Sequence, residues 1–429
     1  MTILLVPIGS HGDVHPFVGI GIRLRERGHR VIMIANPHFE SLVRGAGLEF
    51  AAVSTDEEYR KMAGDPRLWH RLKGPPLVFE ALTALVRPTY DAIAANYVAG
   101  ETILVGSSLA LGARVAQEKL GIPAVTVHLQ PLDFRSNFDS PKFAGMLLGP
   151  RVPRWLKDLQ WWLVDTLMLD RLAAPPLNEI RAELGLAPVK GIVREYWNSP
   201  QRVIGLFPEW FSAPQPDWPP QTRLTGFPLY DERGVTGLSD ELQAFLAAGE
   251  PPIAFTFGSA MWHAHKILEI SARACAQLNR RGILLTRHRG QIPASLPPGV
   301  IHVDFAPFSE LLPRCAALVH HGGIGTCSQG LAAGVPHLVV PHAHDQPDNA
   351  ARLVRLGVAR KVEPRQYRIS RVVRELGELL GSSEIAENCK DVAARFVGTD
   401  PIGRTCDWIE GLGANVEPMA RVQPAVSLL

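Results

Sequence analysis

The sequence predicts an α/β protein made of two Rossmann-like, doubly wound units in tandem, facing each other across a cleft. Three observations carry this. The chain opens as strand, glycine-rich loop, helix and strand. The same alternation restarts in the second half, beyond a proline-rich stretch. The length, 429 residues, suits two domains of about 200 residues better than one.

Ile3–Pro7 is a short apolar run that reads as a buried first strand, and Ile8–His15 as the loop after it. Phe17–Arg27 reads as a helix, because Phe17, Ile20 and Leu24 share one stripe and Gly28 stops it. Arg30–Ala35 is the next strand. A strand–helix–strand unit this short implies parallel pairing through a right-handed crossover. Thr102–Val105, Leu109–Leu120 and Ala124–Val127 repeat the pattern, with Gly121 ending the helix. Pro208–Pro228 contains Pro214, Pro216, Pro219 and Pro220, and proline neither pairs in a central strand nor sits in mid-helix. The expected division is an N-terminal unit over 1–210, a linker over 211–237, a C-terminal unit over 238–412 and a peripheral tail over 413–429. In the C-terminal unit, strands are expected at Ile253–Phe257, Ile283–Thr286, Val300–Val303, Ala317–Val319 and His337–Val340. Helices are expected at Ile267–Arg281 and Gly325–Ala333.

Lys and Arg total 44 against 42 Asp and Glu, a net charge of +2 with no clustered basic surface, so nucleic acid is not an expected partner. The five cysteines are odd in number and show no Cys-x-x-Cys spacing, which fits a reducing cytoplasm better than a disulfide framework or a zinc site. The N-terminal run lacks a basic flank and does not read as a signal peptide. No stretch reaches the roughly 18 uncharged apolar residues of a spanning helix. Trp155–Leu172 comes nearest, but Lys157, Asp158, Asp165 and Asp170 interrupt it. An amphipathic helix packed on the core is the favoured reading. The other is a surface that holds a lipid-like ligand or touches the inner membrane face peripherally.

Two loops carry chemistry. His320-His321-Gly322-Gly323-Ile324-Gly325-Thr326 follows an apolar strand and opens a helix. Glycines there let a phosphate approach the backbone, the helix end offers free N–H groups, and a His adds a donor. A tight turn that merely needs glycine is the competing explanation, and the adjoining His and Thr weigh against it. Downstream, Gly334-Val335-Pro336 ends the helix, and His342-Ala343-His344-Asp345-Gln346 follows the next strand. A carboxylate beside an amide suits sugar hydroxyls, although Asp345 alone would read as a helix cap.

Together, Phe305 through Gln346 resembles the donor-binding signature of family-1 glycosyltransferases of the GT-B fold, which include plant secondary-product, macrolide, sterol and antibiotic enzymes. The matching residues are Phe305, Pro307, His321, Gly323, Gly325, Thr326, Gly334, Pro336, Pro341 and Asp345-Gln346. The resemblance implies that Phe305 stacks on the nucleobase, that His321, Gly325 and Thr326 bind the diphosphate with Gly323 also on the donor side, and that Asp345 and Gln346 hold the transferred sugar. It assigns Gly258 and Ser259 to a second loop over the phosphates, and Ser10 and Gly12 to the donor side. Family members often carry Trp where Phe305 stands and Gln where Phe308 stands. Plant members have a ribose-binding Glu at Gln329.

The first loop, Gly9-Ser10-His11-Gly12-Asp13-Val14-His15-Pro16, is the second site. Sugar transfer needs a base for the acceptor hydroxyl. Many family members place a His three residues before the proline equivalent to Pro16, with an Asp helper on a later strand. Here Asp13 occupies the first position and Ser107 the second, a pattern similar to sterol and glycopeptide-antibiotic glycosyltransferases. Asp13 is therefore the expected base, with His11 and His15 as alternatives. Asp13 can also simply cap the following helix.

Gly64-Asp65-Pro66-Arg67-Leu68-Trp69, Val105-Gly106-Ser107, Phe207-Pro208-Glu209-Trp210-Phe211, Asp217-Trp218-Pro219 and Thr225-Gly226-Phe227-Pro228-Leu229 also resemble the rhamnosyltransferases of rhamnolipid synthesis, which use dTDP-L-rhamnose and hydroxyalkanoyl acceptors. The resemblance implies an inverting transferase with no cofactor, a UDP- or dTDP-hexose donor and a small, largely apolar acceptor. It also implies that Arg404–Gly411 closes a helix back onto the N-terminal unit. No Asp-x-Asp occurs, in keeping with a metal-free mechanism. Acceptor contacts are expected from Glu57–Leu85 and Gln130–Trp162. The alternatives are a nucleotide-sugar epimerase and a non-catalytic or partner-dependent nucleotide-sugar binder. A dinucleotide dehydrogenase is disfavoured, since the first loop lacks Gly-x-Gly-x-x-Gly.

Overall fold

The computed structural model describes residues 1–413 apart from 71–72, 143–151, 233–236, 259–260 and 262–263. The first sheet holds β1 (Thr2–Val6), β2 (Arg30–Ala35), β3 (Glu49–Ala52), β4 (Thr102–Ser107), β5 (Ala124–His128), β6 (Arg202–Gly205) and β7 (Thr222–Leu224), in the order β3-β2-β1-β4-β5-β6-β7. The second holds β8 (Ile253–Thr256), β9 (Gly282–Leu285), β10 (Val300–Val303), β11 (Ala317–His320), β12 (His337–Val339) and β13 (Ala359–Lys361), in the order β10-β9-β8-β11-β12-β13. Every pairing is parallel. β1 is buried at all five positions, which is why Thr2–Val6 is apolar on both faces.

Thr2 of β1 lies opposite both Arg30 of β2 and Thr102 of β4, so the chain winds away from β1 in two directions. The same reversal occurs between β8 and β11. Loops leaving the carboxyl ends of strands at such a reversal open into a crevice where ligands bind. Helix α1 (His11–Glu26) follows β1, and the Ile324–Ala333 helix follows β11.

Two stretches differ from expectation. Within 211–237, Thr222–Leu224 forms β7 and pairs with β6. An edge strand of three residues tolerates Pro219, Pro220 and Pro228 around it and is too short to show a period. The expected single helix over Trp155–Leu172 is instead an α-helix over Arg154–Val164, a π-helical turn over Asp165–Leu169 and an α-helix over Asp170–Glu183. Its inward residues are Lys157, Trp161, Asp165, Leu169, Ala173, Leu177 and Arg181, spaced by four throughout. A pure α-helix of 3.6 residues per turn drifts by about 40° at each such step, and the wider π turn takes up part of that drift. This stripe is buried and Val164, Met168, Ala174 and Ile180 pack partly buried beside it, whereas Trp155, Leu159, Trp162 and Leu163 are exposed.

The units meet behind the cleft in one apolar cluster. Phe134, Val203 and Phe207 come from the first, Phe211, Trp218 and Phe227 from the connecting segment, and Cys327, Leu331, Val339 and Leu353 from the second. The Pro401–Gly413 helix crosses back over α1, burying Cys406, Ile409 and Leu412 in the first unit's core, and Arg27 bridges to its Asp407 at 2.7 Å and Glu410 at 2.5 Å. All five cysteines are buried and free. No described helix is long and apolar enough to cross a membrane.

Candidate active site

A cavity of about 1640 Å³ lies between the units, lined by the loops that follow β1, β8, β9, β11 and β12. On the first-unit side, Ser10 precedes α1, and its backbone N–H and hydroxyl both donate to Asp13 Oδ2, at 2.6 and 3.0 Å. This reciprocal cap holds the Asp13 carboxylate at the helix start, where Gly9 permits it: at φ +139°, a Cβ there would lie 2.3 Å from Asp13 Oδ2. Withdrawal from bulk water raises the Asp13 pKa to about 6. The two Ser10 bonds oppose the rise, and the charge of Asp133 adds to it.

The alternatives to Asp13 are differently placed. His11 is held neutral, its pKa lowered to about 3 by burial first and by His15 and Arg287 next. Its ring packs edge-on against Phe39 at 4.9 Å. His15 pairs with Glu232 at 3.1 Å, and Glu232 in turn lies 3.8 Å from Arg287. Ser107, in the position of the helper carboxylate, accepts instead from the Ile8 N–H at 3.2 Å. A different carboxylate, Asp133, stands in the cavity, held by the Gln130 amide at 2.9 Å and the Ser108 hydroxyl at 3.3 Å.

On the second-unit side, the first backbone bond of the Ile324–Ala333 helix runs from Cys327 N–H to the Gly323 carbonyl, at 3.0 Å. The N–H groups of Ile324, Gly325 and Thr326 therefore have no intrahelical acceptor, and all three residues line the cavity. Gly322 donates to His320 Nδ1 at 3.1 Å, which fixes the turn, and His320 Nε2 lies 2.9 Å from buried His337. His321 is neutral, its pKa lowered to about 3 by burial and then by His342. A Cβ on Gly258 would lie 2.8 Å from His321 Nε2, and one on Gly323 2.5 Å. The two glycine loops therefore close around one imidazole. Ser259 lies outside the described residues.

Asp345 stands at the N-cap position of the Gln346–Arg355 helix, and its carboxylate accepts from the Asn349 amide at 2.6 Å. Its pKa rises to about 7, first by burial and then by repulsion from Asp13 and Asp133. The carboxylate thus senses both first-unit acids. Gln346 Oε1 accepts from the N–H groups of His342 and Ala343, leaving its amide nitrogen for a ligand. Phe305 lines the cavity with the Arg287 guanidinium over its ring at 4.6 Å. Gly12 also lines it, and so do Tyr59, Trp69, Phe79 and Leu82 from Glu57–Leu85 and Leu132 and Trp161 from Gln130–Trp162. Among the described residues, no group of three or more His, Cys, Asp or Glu side chains could hold a metal ion.

Two parallel-sheet units face one cavity, with acids on one wall and a helix N-terminus on the other, the architecture of the GT-B fold. Residues 3–132 match the glycosyltransferase family 28 N-terminal domain, and residues 276–402 the erythromycin biosynthesis protein CIII-like C-terminal domain. The O-mycaminosyltylonolide 6-deoxyallosyltransferase of Streptomyces fradiae is 33% identical over 414 residues, 93% of each chain. A sterol 3-beta-glucosyltransferase of Arabidopsis thaliana is 29% identical over 378 residues, 83% of this chain and 57% of that one. The glycotransferase of kitacinnamycin superposes with a TM-score of 0.73 at 21% identity, over 96% of this chain and 98% of that one. Glycosyltransferase VinC in complex with dTDP does so with a TM-score of 0.70 at 18% identity, over 97% and 100%. The chain belongs to this family: it is a glycosyltransferase of the antibiotic and natural-product type.

Asp133 and Arg287 carried no sequence signal, since each is an isolated charge that the fold brings to the cavity. The charge on Asp133 raises both neighbouring acids, so removing it lowers them. Asp133→Asn is expected to move the acid limb of the transfer rate to lower pH, by a fraction of a unit to about one unit. A pH profile of kcat/KM for the variant and wild type checks this; an unmoved limb would show that Asp133 does not act on a group the rate depends on.

Proposed function

We propose that the protein is an inverting glycosyltransferase that moves a hexose from a nucleotide diphosphate to a hydroxyl of a small, largely apolar acceptor. The observation that carries this is the juxtaposition of Asp13, from one unit, with the open helix end at Ile324–Thr326, from the other, across a single cavity. Asp13 takes the acceptor proton. With Oδ2 engaged by Ser10, Oδ1 is the receiving oxygen. A raised pKa makes Asp13 a stronger base than an ordinary Asp while leaving it ionised above pH ~6. The acceptor oxygen attacks the anomeric carbon from the face opposite the diphosphate, and the bond to the diphosphate breaks with inversion. Charge on the leaving group meets His321, the N–H groups of Ile324, Gly325 and Thr326, and the helix dipole. No divalent cation enters this scheme. Asp345 and the Gln346 amide hold the sugar, and Phe305, under Arg287, receives the base.

A dTDP-linked 6-deoxyhexose such as dTDP-L-rhamnose is the favoured donor, with UDP-glucose second. The Streptomyces relative is named for 6-deoxyallosyl transfer and VinC was seen with dTDP, while the plant relative is named for glucosyl transfer. An apolar acceptor follows from the wall that Phe39, Phe79, Leu82, Trp161, Met168 and Trp197 make in the first unit. The test is nucleotide release from dTDP-L-rhamnose and UDP-glucose with hydroxyacyl esters and flavonoids as acceptors. Acceptor-dependent release, faster with the dTDP sugar, is expected. Binding of both donors with no release under any acceptor would sink the proposal.

A further inference from the structure

The apolar half of the cavity holds one feature that the transfer scheme does not use. Arg135 follows Asp133 by two residues and lines the cavity. Its backbone sits at φ 42° and ψ 131°, a conformation costly for any residue with a side chain and retained only where the surroundings enforce it. The guanidinium packs over the Trp161 ring at 4.5 Å and bonds Asp165. Asp165 is the first residue of the π-helical turn, so two departures from regular backbone bring this pair together. Both side chains are largely buried, Arg135 at 15% and Asp165 at 11% exposure. Arg135 and Trp161 line the cavity; Asp165 does not, so the counter-ion stands behind the wall and the cation in front. Around them the wall is Val164, Met168, Leu169, Val193 and Trp197. Among the described residues, Arg287 on the donor side is the only other Arg or Lys lining the cavity.

We propose that Arg135 is an acceptor-recognition residue that donates to a neutral carbonyl oxygen, of a lactone, ester or ketone, carried by the apolar acceptor. This rests on the transfer reaction proposed above. A guanidinium presents five N–H donors, and one carboxylate does not use them all. An apolar molecule with no oxygen at this point would bury those donors unmet, whereas a carbonyl satisfies them. A free carboxylate fits less well. Asp165 already balances the charge of Arg135, and Asp13, Asp133 and Asp345 place three further carboxyl groups in the same cavity. An anionic acceptor would leave an uncompensated negative charge beside them. Asp133, two residues from Arg135, adjoins the base, so the recognised oxygen and the reacting hydroxyl belong to one small molecule.

The experiment compares three acceptors on one scaffold: a hydroxy ester, the ether that lacks its carbonyl, and the free hydroxy acid. Each is assayed by nucleotide release and product detection. Wild type is expected to prefer the ester over the ether by about 10- to 100-fold in kcat/KM, the range for a hydrogen bond to a charged donor. The acid is expected to be the poorer substrate at pH 7.5. In the Arg135→Asn/Asp165→Asn double variant the ester-to-ether ratio should fall to near unity. The paired change leaves no lone buried charge, and circular dichroism checks the fold. Equal use of ester and ether by wild type, which needs no variant, overturns the proposal and leaves the transferase reading intact. So does a preference for the acid, or a ratio unchanged in the folded variant. Failure with all three acceptors overturns both.

Discussion

Asp13→Asn is expected to lower the transfer rate by about 10³-fold while leaving donor binding within a few-fold of wild type, because loss of a general base removes roughly 10²- to 10⁴-fold. Asn keeps the size of Asp and can still accept from Ser10, so the start of α1 should hold. The wild-type rate should fall about tenfold per pH unit below pH ~6, where Asp13 takes up a proton. The variant should lose Asp13's part of that limb and keep any part that Asp345 contributes. Asp13 and Asp345 feel one another, so the limb reports the pair rather than one residue. The stability effect has the opposite sign to that of an ordinary paired Asp. The folded-state pKa lies above the ordinary value of 3.8, so the native state binds protons more tightly than the unfolded chain. Its contribution is fully present below pH ~4 and is lost as pH rises through ~6. Above pH 6 the variant should therefore be no less stable than wild type, and a thermal melt separates lost chemistry from lost fold. Retention of wild-type transfer in Asp13→Asn would remove Asp13 from the mechanism and move attention to His11, which is neutral and lines the same cavity.

His321→Ala is expected to cost about 10²-fold in kcat/KM for the nucleotide sugar, the scale set by removing one preorganised donor from a developing negative charge. The acceptor KM should be little changed. Gly323→Ala should reproduce the loss by a different route. A methyl group there meets His321 Nε2 at 2.5 Å, and a buried ring has little room to turn away. Binding of the nucleotide diphosphate, measured by calorimetry, distinguishes the mechanisms: both variants should weaken it, and Asp13→Asn should not. Unchanged nucleotide binding in both loop variants would show that the diphosphate lies elsewhere.

Much of this was legible in order along the chain. The Ile3–Ala35 unit and the run from Phe305 to Gln346 are local signals, because a parallel strand, the glycine turn after it and the helix that follows are set by consecutive residues. The pairing of the two sheets' reversal points with the first loop and the His320–Thr326 loop follows from that alternation. What sequence could not supply was distance between units. β7 is three residues long among prolines, and only pairing with β6 makes it a strand. The inward stripe from Lys157 to Arg181 repeats every four residues, and a π turn helps it stay inward, which a 3.6-residue period conceals. The first-loop Asp suggested a base but not its strength, since the rise to about 6 comes first from burial in the folded chain and then from Asp133. Asp133, Arg135 and Arg287 are single charges with no motif around them. Consecutive residues determined the family and the reaction class; the proton affinity of Asp13 and the buried Arg135–Asp165 pair in the cavity wall depend on groups far apart in the chain, and only the folded arrangement sets them.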